Sequence, residues 1–202
     1  MNRILKSLIL LGALSMFAFE VTKAAWSDAA QSTANIFTAG TLDLKLSDTD
    51  ETDADAVSMT WGDSGMVPGG TPVDATLTLK NSGTVVGDHV HFSVANTITD
   101  NGAAATPDMD SYLEISTLEY DGGNIFGQIA DANGNGYIDL SDFAAAGTIG
   151  DNTSATGNAL TDLGVNHTLR MVVGLEANAP SEIQGDSVET TLTATLHQSN
   201  GQ

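Results

Sequence analysis

The sequence contains no cysteine and few basic or aromatic side chains. Without cysteine, neither a disulfide bond nor thiol chemistry is available to the 202-residue chain. Lysine and arginine together number 6 against 26 acidic residues, which gives a formal net charge of −20. Nucleic acid and anionic lipid are therefore unfavourable partners. We expect most carboxylates to be solvated groups that favour solubility, and divalent cation binding is the more specific interpretation of some of them.

The first residues have the composition of a secretory signal peptide. Arg3 and Lys6 precede an apolar run of about a dozen residues, and a run of that length is too short to span a bilayer. Small residues favour cleavage after Ala24 or Ala25. We therefore expect residues 1–24 to be removed and the mature chain to be secreted, without stable membrane insertion.

Alternating apolar and polar residues predict β-strands along much of the remaining chain. In TLDLKLS, for example, Leu42, Leu44 and Leu46 share one face of an extended chain. The predicted strands lie at 41–47, 73–80, 89–94, 168–177 and 188–198, with weaker strands at 57–61 and 112–117 and a turn at NSG, 81–83. Two sheets with one apolar face each can pack against each other, so the predicted fold is an all-β sandwich.

A long segment between the predicted strands, residues 119–165, is rich in glycine, asparagine and aspartate. Within it, DANGNGYIDLSDF places oxygen-bearing side chains on alternate residues and Gly136 at the sixth position, as a calcium loop requires. The predicted calcium ligands are Asp131, Asn133, Asn135, Tyr137 through its backbone carbonyl, Asp139 and Asp142. The loop resembles those of dockerin-type repeats, with a short helix expected after it. Because the sequence has one such loop rather than two, we expect a structural calcium site. Asparagine at two ligand positions lowers the ligand charge, so the expected affinity is modest, ~10⁻⁴ to 10⁻³ M.

Other metal and catalytic sites are not indicated. The acidic run at 48–55 lacks the glycine and the regular spacing of a calcium loop, so we expect it to be a solvated loop. His89 and His91 alternate on one strand and could share a metal, but without a third nearby ligand in the sequence they are more typical of surface residues. The motifs of zinc peptidases, serine hydrolases and phosphate-binding loops are missing from the sequence. We therefore expect no enzymatic activity.

Several stretches resemble the TasA and camelysin family of secreted proteins. WSDAAQSTANIFTAGTLDLKLSD resembles the start of the mature family members, and IQGDSVETTLTATLHQ resembles their final strand. PGGTPVDATLTLKNSGTVVGDHVHFSV is similar to their paired strands around an N-x-G turn. The resemblance covers most of the mature chain apart from 119–165. It implies a jelly-roll-like β-sandwich that assembles into extracellular fibres, either of a biofilm matrix or of the related archaeal bundling pili.

The segment before the first predicted strand has large apolar residues but no strand periodicity of its own. Trp26, Ile36 and Phe37 would be exposed if residues 25–38 were free. We predict that this segment is a donor strand, which adds to the sheet of a neighbouring copy and leaves Gly40 as the hinge into a sandwich domain at 41–202. Repeated head-to-tail contacts of this kind produce a homopolymer. An accessory or anchor subunit would be a further partner.

Two other functions remain as alternatives to a structural fibre subunit. One is a secreted metalloendopeptidase of the camelysin type, because some family members carry that label. The other is a monomeric extracellular binding module that is stabilised by calcium. Zinc content and casein hydrolysis would identify the first, and size in solution would identify the second.

Overall fold

The computed structural model describes residues 39–57, 61–101, 106–150 and 159–198, together with residues 2–4, 6, 7 and 9. The chain forms two units, residues 1–38 and residues 39–202. In the first unit, the described residues include a helical turn in which the Ser7 hydroxyl donates to the Arg3 carbonyl at 3.0 Å. None of the helices in the described part of the chain has the length and apolar character needed to cross a membrane.

The second unit is built from eight short and medium-length strands among its described residues. In chain order these are β1 (Leu44–Ser47), β2 (Val73–Asn81), β3 (His89–Thr99), β4 (Leu113–Tyr120), β5 (Gly123–Asn124), β6 (Thr148–Ile149), β7 (Asn166–Leu175) and β8 (Ser187–His197). Helix α1 (Leu140–Ala146) lies between β5 and β6. Single 3₁₀ turns occupy Met109–Tyr112, Phe126–Gln128 and Ser181–Ile183.

These strands form two antiparallel sheets. The larger sheet has the order β1-β2-β7-β4-β5, and the smaller has the order β6-β3-β8. Every strand pair in both sheets is antiparallel. The predicted all-β sandwich is therefore confirmed.

Alternation along the strands places one set of side chains in a common apolar core. Leu77 and Leu79 of β2, Val90 and Phe92 of β3, and Leu169 of β7 are all buried. Their polar neighbours in sequence point to the opposite face of each sheet, because successive side chains of a strand alternate. Burial of each large aliphatic or aromatic side chain contributes about 1.5 to 3 kcal/mol, so this core supplies much of the stability of a domain without disulfide bonds.

The chain crosses from one sheet to the other after β2, which corrects the expectation of paired strands around an N-x-G turn. β2 belongs to the larger sheet and β3 to the smaller one. Asn81 is completely buried at this crossing. Its Oδ1 accepts from the Gly83 backbone N–H at 3.0 Å, and its Nδ2 donates to the Val85 carbonyl at 2.9 Å. The asparagine therefore organises a crossing rather than a hairpin.

Residues 119–165, the Gly/Asn/Asp-rich insertion expected within the sandwich domain, contribute side chains to the common core. Among the described residues of this segment, Ile125, Leu140, Phe143, Ile149 and Leu160 are buried in the same apolar core as the strands. The segment looks like an insertion in the sequence because its turns are rich in glycine and Asx residues, but its apolar residues are needed to complete the sandwich.

The weaker predicted strands had different outcomes. The strand predicted at 112–117 is present as β4 and continues to Tyr120. Of the strand predicted at 57–61, only Val57 and Trp61 belong to the described residues, and neither lies in a strand. Trp61 instead donates from its indole Nε1 to the Met171 carbonyl of β7 at 2.8 Å.

The buried Asn81 generates a stability prediction. Substitution Asn81→Ala should lower the free energy of unfolding by about 1 to 3 kcal/mol, because the backbone groups of Gly83 and Val85 lose their partner inside the protein. The neighbouring Ser82 is exposed, so Ser82→Ala is the matched control and should change stability by less than about 0.5 kcal/mol. Urea denaturation measures both, and equal effects would contradict the role assigned to Asn81.

Candidate functional site

The predicted calcium loop is closed by its first residue. Asp131 accepts from the Gly134 backbone N–H with Oδ1 at 2.6 Å and from the Gly136 N–H with Oδ2 at 2.9 Å. Both glycines have positive φ, 75° for Gly134 and 91° for Gly136. Residues other than glycine rarely adopt this conformation, so the predicted requirement for glycine at the sixth position has a backbone cause.

Two asparagines of the loop converge on one carboxylate oxygen. Asn133 and Asn135 each donate from their Nδ2 to Oδ2 of Asp139, at 2.9 and 3.0 Å. Their Oδ1 atoms accept from backbone N–H groups, including that of Tyr137 at 2.9 Å. If the side-chain amides of Asn133 and Asn135 rotated by half a turn, their Oδ1 atoms would point toward Asp139. A cation bound between these Oδ1 atoms and the Asp139 carboxylate would then replace the amide protons as the partner of the carboxylate.

The end of the loop forms the first turn of α1. Asp139 is the N-cap residue, and its Oδ1 accepts from the Asp142 backbone N–H at 2.9 Å. The Asp142 side chain in turn accepts from the Asp139 N–H at 3.2 Å and from the Ala132 N–H at 2.9 Å. Both carboxylates are completely buried. This capping box fixes the ninth and twelfth loop residues relative to the start of the loop.

The loop is attached to the sandwich at three points. The Ile138 carbonyl accepts from the Ile115 N–H of β4 at 2.8 Å. Asn135 Nδ2 also donates to the Ser111 carbonyl at 3.0 Å. On the other side, Asn96 Nδ2 of β3 donates to the Leu140 carbonyl at 2.9 Å. The eighth residue of the loop is therefore paired with a strand of the domain itself, whereas in a two-loop module it would face a second loop.

The surroundings of Asp139 are strongly acidic. Burial raises the pKa of Asp110, and the nearby Asp108 and Asp139 carboxylates raise it further. Burial also raises the pKa of Glu176, with added repulsion from Glu114 and Asp139. Oε1 of Glu176 is buried and has no hydrogen-bond partner among the described residues. A cation beside Asp139 would relieve this repulsion, since opposite charge favours the ionised form of each carboxyl group.

The second feature of functional interest is the free edge of β8. This strand has 11 residues and pairs with β3 along its full length, from His197 opposite His89 to Ser187 opposite Thr99. No other strand in the described ranges pairs with β8. The edge strands β1, β5 and β6 have only four, two and two residues. Among the described strands, β8 is therefore the one long edge with unpaired backbone groups.

An apolar groove of about 1140 Å³ runs beside this edge. It is bounded on one side by β8 and on the other by the larger sheet. Its apolar lining includes Val188, Leu192 and Ala194 of β8, and Leu46, Leu77 and Met171 of β1, β2 and β7. The volume exceeds the range of about 300 to 1000 Å³ typical of small-molecule sites, so a peptide segment fits it better than a small ligand does.

The residues predicted to drive polymerisation are only partly described. Trp26, Ile36 and Phe37 lie outside the described residues. Gly40 lies so close to Val85 that a Cβ on residue 40 would overlap the Val85 side chain. The next residue, Thr41, accepts at its carbonyl from the Thr84 N–H at 2.8 Å. Close packing against Val85 explains why residue 40 is a glycine. The role of Gly40 as a hinge stays a prediction.

The acidic run at 48–55 forms ion pairs with the two lysines of the neighbouring strands. Lys45 of β1 contacts Asp55, and Lys80 of β2 contacts Asp53. The backbone of Asp50 and of Glu51 donates to Asp48 Oδ1, at 3.0 and 2.9 Å. These contacts fit the predicted acidic surface loop.

Three histidines meet at one end of the smaller sheet, and the sequence analysis identified only two of them. His89 and His91 are buried, with exposed fractions of 1% and 8%, which corrects the expectation of surface residues. His197 of β8 lies directly opposite His89 of β3 and is the third member. One ring nitrogen of each histidine lies within 4.8 Å of the others. The long sequence separation of His197 concealed it, although its position at the end of a predicted strand was a usable indication.

No protein-family model matches this chain, and no curated protein matches it either.

The buried Glu176 generates a pH-dependent prediction. Its pKa is raised in the folded state, so the ionised form destabilises the fold above that pKa, and the cost disappears below the unfolded value of about 4.3. Glu176→Gln should therefore raise the melting temperature at pH 7 in the presence of a calcium chelator and have little effect near pH 4. Glu182 is exposed, and Glu182→Gln is the control. A lower melting temperature for Glu176→Gln at pH 7 would contradict the assignment.

Proposed function

We propose that the protein is a secreted structural subunit of an extracellular fibre, in which residues 25–38 of one copy add as a strand to the β8 edge of the next copy. The observation that carries this proposal is the 11-residue edge of β8 beside an apolar groove. Long exposed edges are liabilities that proteins usually blunt with charge, proline or a bulge. β8 has a single carboxylate, Glu189, and five threonine or alanine residues (SVETTLTATLH), so its edge is suited to pairing.

The donor segment has the length and the side chains that the groove requires. Fourteen extended residues span roughly 46 Å, against roughly 36 Å for β8. In an extended chain, Trp26, Ala30, Ala34 and Ile36 share one face because they are separated by even numbers of residues. The part of that face at Ala34 and Ile36 would enter the groove, because Asp28 lies on the same face nearer the N-terminus, and Phe37 would pack from the other side of the new strand. Each large anchor would contribute about 1.5 to 3 kcal/mol.

The arrangement propagates because donor and acceptor are different surfaces of the same chain. A head-to-tail contact of this kind does not close on itself unless its rotation forms a ring, so it extends into a filament. Signal cleavage near Ala25 would free the donor segment, which couples export to assembly. The resemblance to the TasA and camelysin family, which implies a jelly-roll-like topology, supports this proposal, and we propose that the fibre lies at the cell surface or in a biofilm matrix.

We further propose that calcium is the cofactor of the loop at 131–142 and acts as a local structural staple. Asp131, Asn133, Asn135, Asp139 and Asp142 would supply side-chain oxygens to the ion, after the amides of Asn133 and Asn135 turn toward it, and the Tyr137 carbonyl is the sixth proposed ligand. Calcium prefers six to eight oxygen ligands. The acidic surroundings of Asp139 and the attachment of the loop to β4 support a site that is formed in advance of binding.

Filament formation tests the donor strand. Protein beginning at Ala25 should form filaments visible by electron microscopy, whereas protein beginning at Ala39 should stay monomeric, because it keeps the groove and lacks the donor. When mixed in, the shorter protein should shorten the filaments of the longer one by occupying their acceptor ends. Filaments of equal width from both proteins would show that strand donation is not the mechanism.

Variants within the donor segment provide the matched comparison. Ile36→Asp should abolish filaments, since it would place a charge in the apolar groove, while Thr33→Asp on the other face of the extended segment should be tolerated. Both positions precede the sandwich domain predicted at 41–202. A monomeric Ala25 protein would favour the calcium-stabilised binding module, and casein hydrolysis that requires zinc would favour the camelysin-type peptidase.

Thermal unfolding tests the calcium loop. At a hundredfold excess over its dissociation constant, calcium should stabilise the protein by ~2.7 kcal/mol if the unfolded chain does not bind it. Chelation should therefore lower the melting temperature of the wild type. Asp131→Asn keeps one of the two oxygens that accept from the loop backbone and removes a charge, so the calcium-dependent shift should shrink.

The control for Asp131→Asn is Asp50→Asn in the acidic run, which removes the same charge from an exposed loop. The control should keep the full calcium-dependent shift. If calcium produces no shift in the wild type, or equal shifts in Asp131→Asn and the wild type, the loop is not the calcium site.

A further inference from the structure

The rings of the three histidines at one end of the smaller sheet lie close to one another. Ring centroids are separated by 4.6 Å for His89 and His91, 5.1 Å for His89 and His197, and 4.2 Å for His91 and His197. Alternation along β3 places His89 and His91 on the face opposite to Val90 and Phe92. The cluster is therefore separate from the apolar core, although His89 and His91 are buried.

The ring nitrogens of this cluster face one another. Nε2 of His89 lies 2.9 Å from Nε2 of His91, and the three potential ligand atoms all lie within 4.8 Å of one another. Three imidazole ligands around a tetrahedral zinc ion, with Zn–N bonds of about 2.0 to 2.1 Å, have nitrogens about 3.3 Å apart. Small movements of the three side chains would therefore bring their nitrogens to the distances found around a zinc ion. The ion would then replace the proton that lies between His89 and His91.

Asp88 supplies the outer partner that metal-binding histidines usually have. Its Oδ2 lies 2.8 Å from Nδ1 of His89, which places the ring proton on Nδ1 and leaves Nε2 free to bind a metal. Asp88 itself is held in position by its backbone, which donates to the His197 carbonyl at 2.7 Å and accepts from the Leu160 N–H at 3.1 Å. Such a carboxylate–histidine pair fixes the tautomer and orients the ligand ring.

From this arrangement we infer that His89, His91 and His197 form a binding site for one divalent transition-metal ion of the zinc class. Imidazole nitrogen suits zinc, copper and nickel, whereas calcium prefers oxygen, so this site and the loop at 131–142 select different ions. Three protein ligands leave one coordination position for water or another ligand. Because His197 lies at the end of β8 and the other two ligands lie on β3, the bound ion cross-links these strands.

Zinc titration of the mature protein is the direct test. The chain beginning at Ala25 is stripped with a chelator, saturated with calcium and titrated with zinc in a calorimeter, and we expect one zinc ion per chain. Cobalt substituted for zinc should give the intense visible absorption of a tetrahedral ion with nitrogen ligands. Zinc should also raise the melting temperature. The inference is overturned if zinc does not bind at one ion per chain or if cobalt gives a weak octahedral spectrum. Surface carboxylates would account for non-stoichiometric zinc binding and for octahedral cobalt.

Substitutions separate the three-histidine site from other metal binding. His197→Ala should weaken zinc binding by at least about 100-fold and abolish the zinc-dependent rise in melting temperature, and Asp88→Asn should weaken binding about 10- to 100-fold. His197 is only partly buried at a strand end, so its removal leaves the core intact, and circular dichroism in chelator checks the fold. Wild-type zinc affinity in His197→Ala would overturn the assignment of the ligands.

Two control variants should bind zinc as the wild type does. His167→Gln removes the remaining histidine of the chain, which contacts Asp121 rather than the cluster. Asp131→Asn alters the calcium loop alone, so calcium dependence and zinc dependence should be lost in different variants. Loss of zinc binding in either control would overturn the three-histidine site.

Discussion

The ladder between β3 and β8 is the interaction on which the functional features of this domain depend. It pairs all 11 residues of β8 with β3 and places His197 against His89, and no other strand in the described part of the chain pairs with β8. Asn96 in the middle of β3 accepts from Thr190 of β8 at 2.9 Å and donates to the Leu140 carbonyl at the start of α1. The groove, the histidine cluster and the loop at 131–142 are therefore all connected to the ladder between β3 and β8.

Local residue patterns predicted much of this structure. The buried face of a strand and the turns of a loop such as 131–142 each depend on about a dozen neighbouring residues. The alternation of Leu77 and Leu79 indicated the buried face of β2, and the spacing from Asp131 to Asp142 indicated a loop, in which both aspartates accept from backbone N–H groups. Pairing between distant segments was not predictable in the same way. The sheet that β3 joins, and the position of His197 beside His89, depend on tertiary packing rather than on adjacent residues.

The segment at 119–165 illustrates a related limit. Its many glycine and Asx residues are typical of turns, and this composition suggested an insertion in the sandwich domain. The structure uses those turns to bring Ile125, Phe143 and Ile149 into the core. A single calcium-type loop is accommodated there because Ile115 of β4 supplies the backbone partner for Ile138. Composition describes the turns correctly but does not reveal whether the apolar residues between them are buried.

The length of β8 also has a mechanical consequence for the proposed fibre. A strand that lies along β8 and leads to the next subunit would be pulled parallel to β8 when the fibre is stretched. In that shear geometry the hydrogen bonds of the ladder carry the load together, whereas a strand peeled from one end breaks them one at a time. The resistance of each junction to tension would then grow with the paired length. With an 11-residue edge, the fibre would withstand a force along its axis far better than a force that peels the strand from one end of a junction.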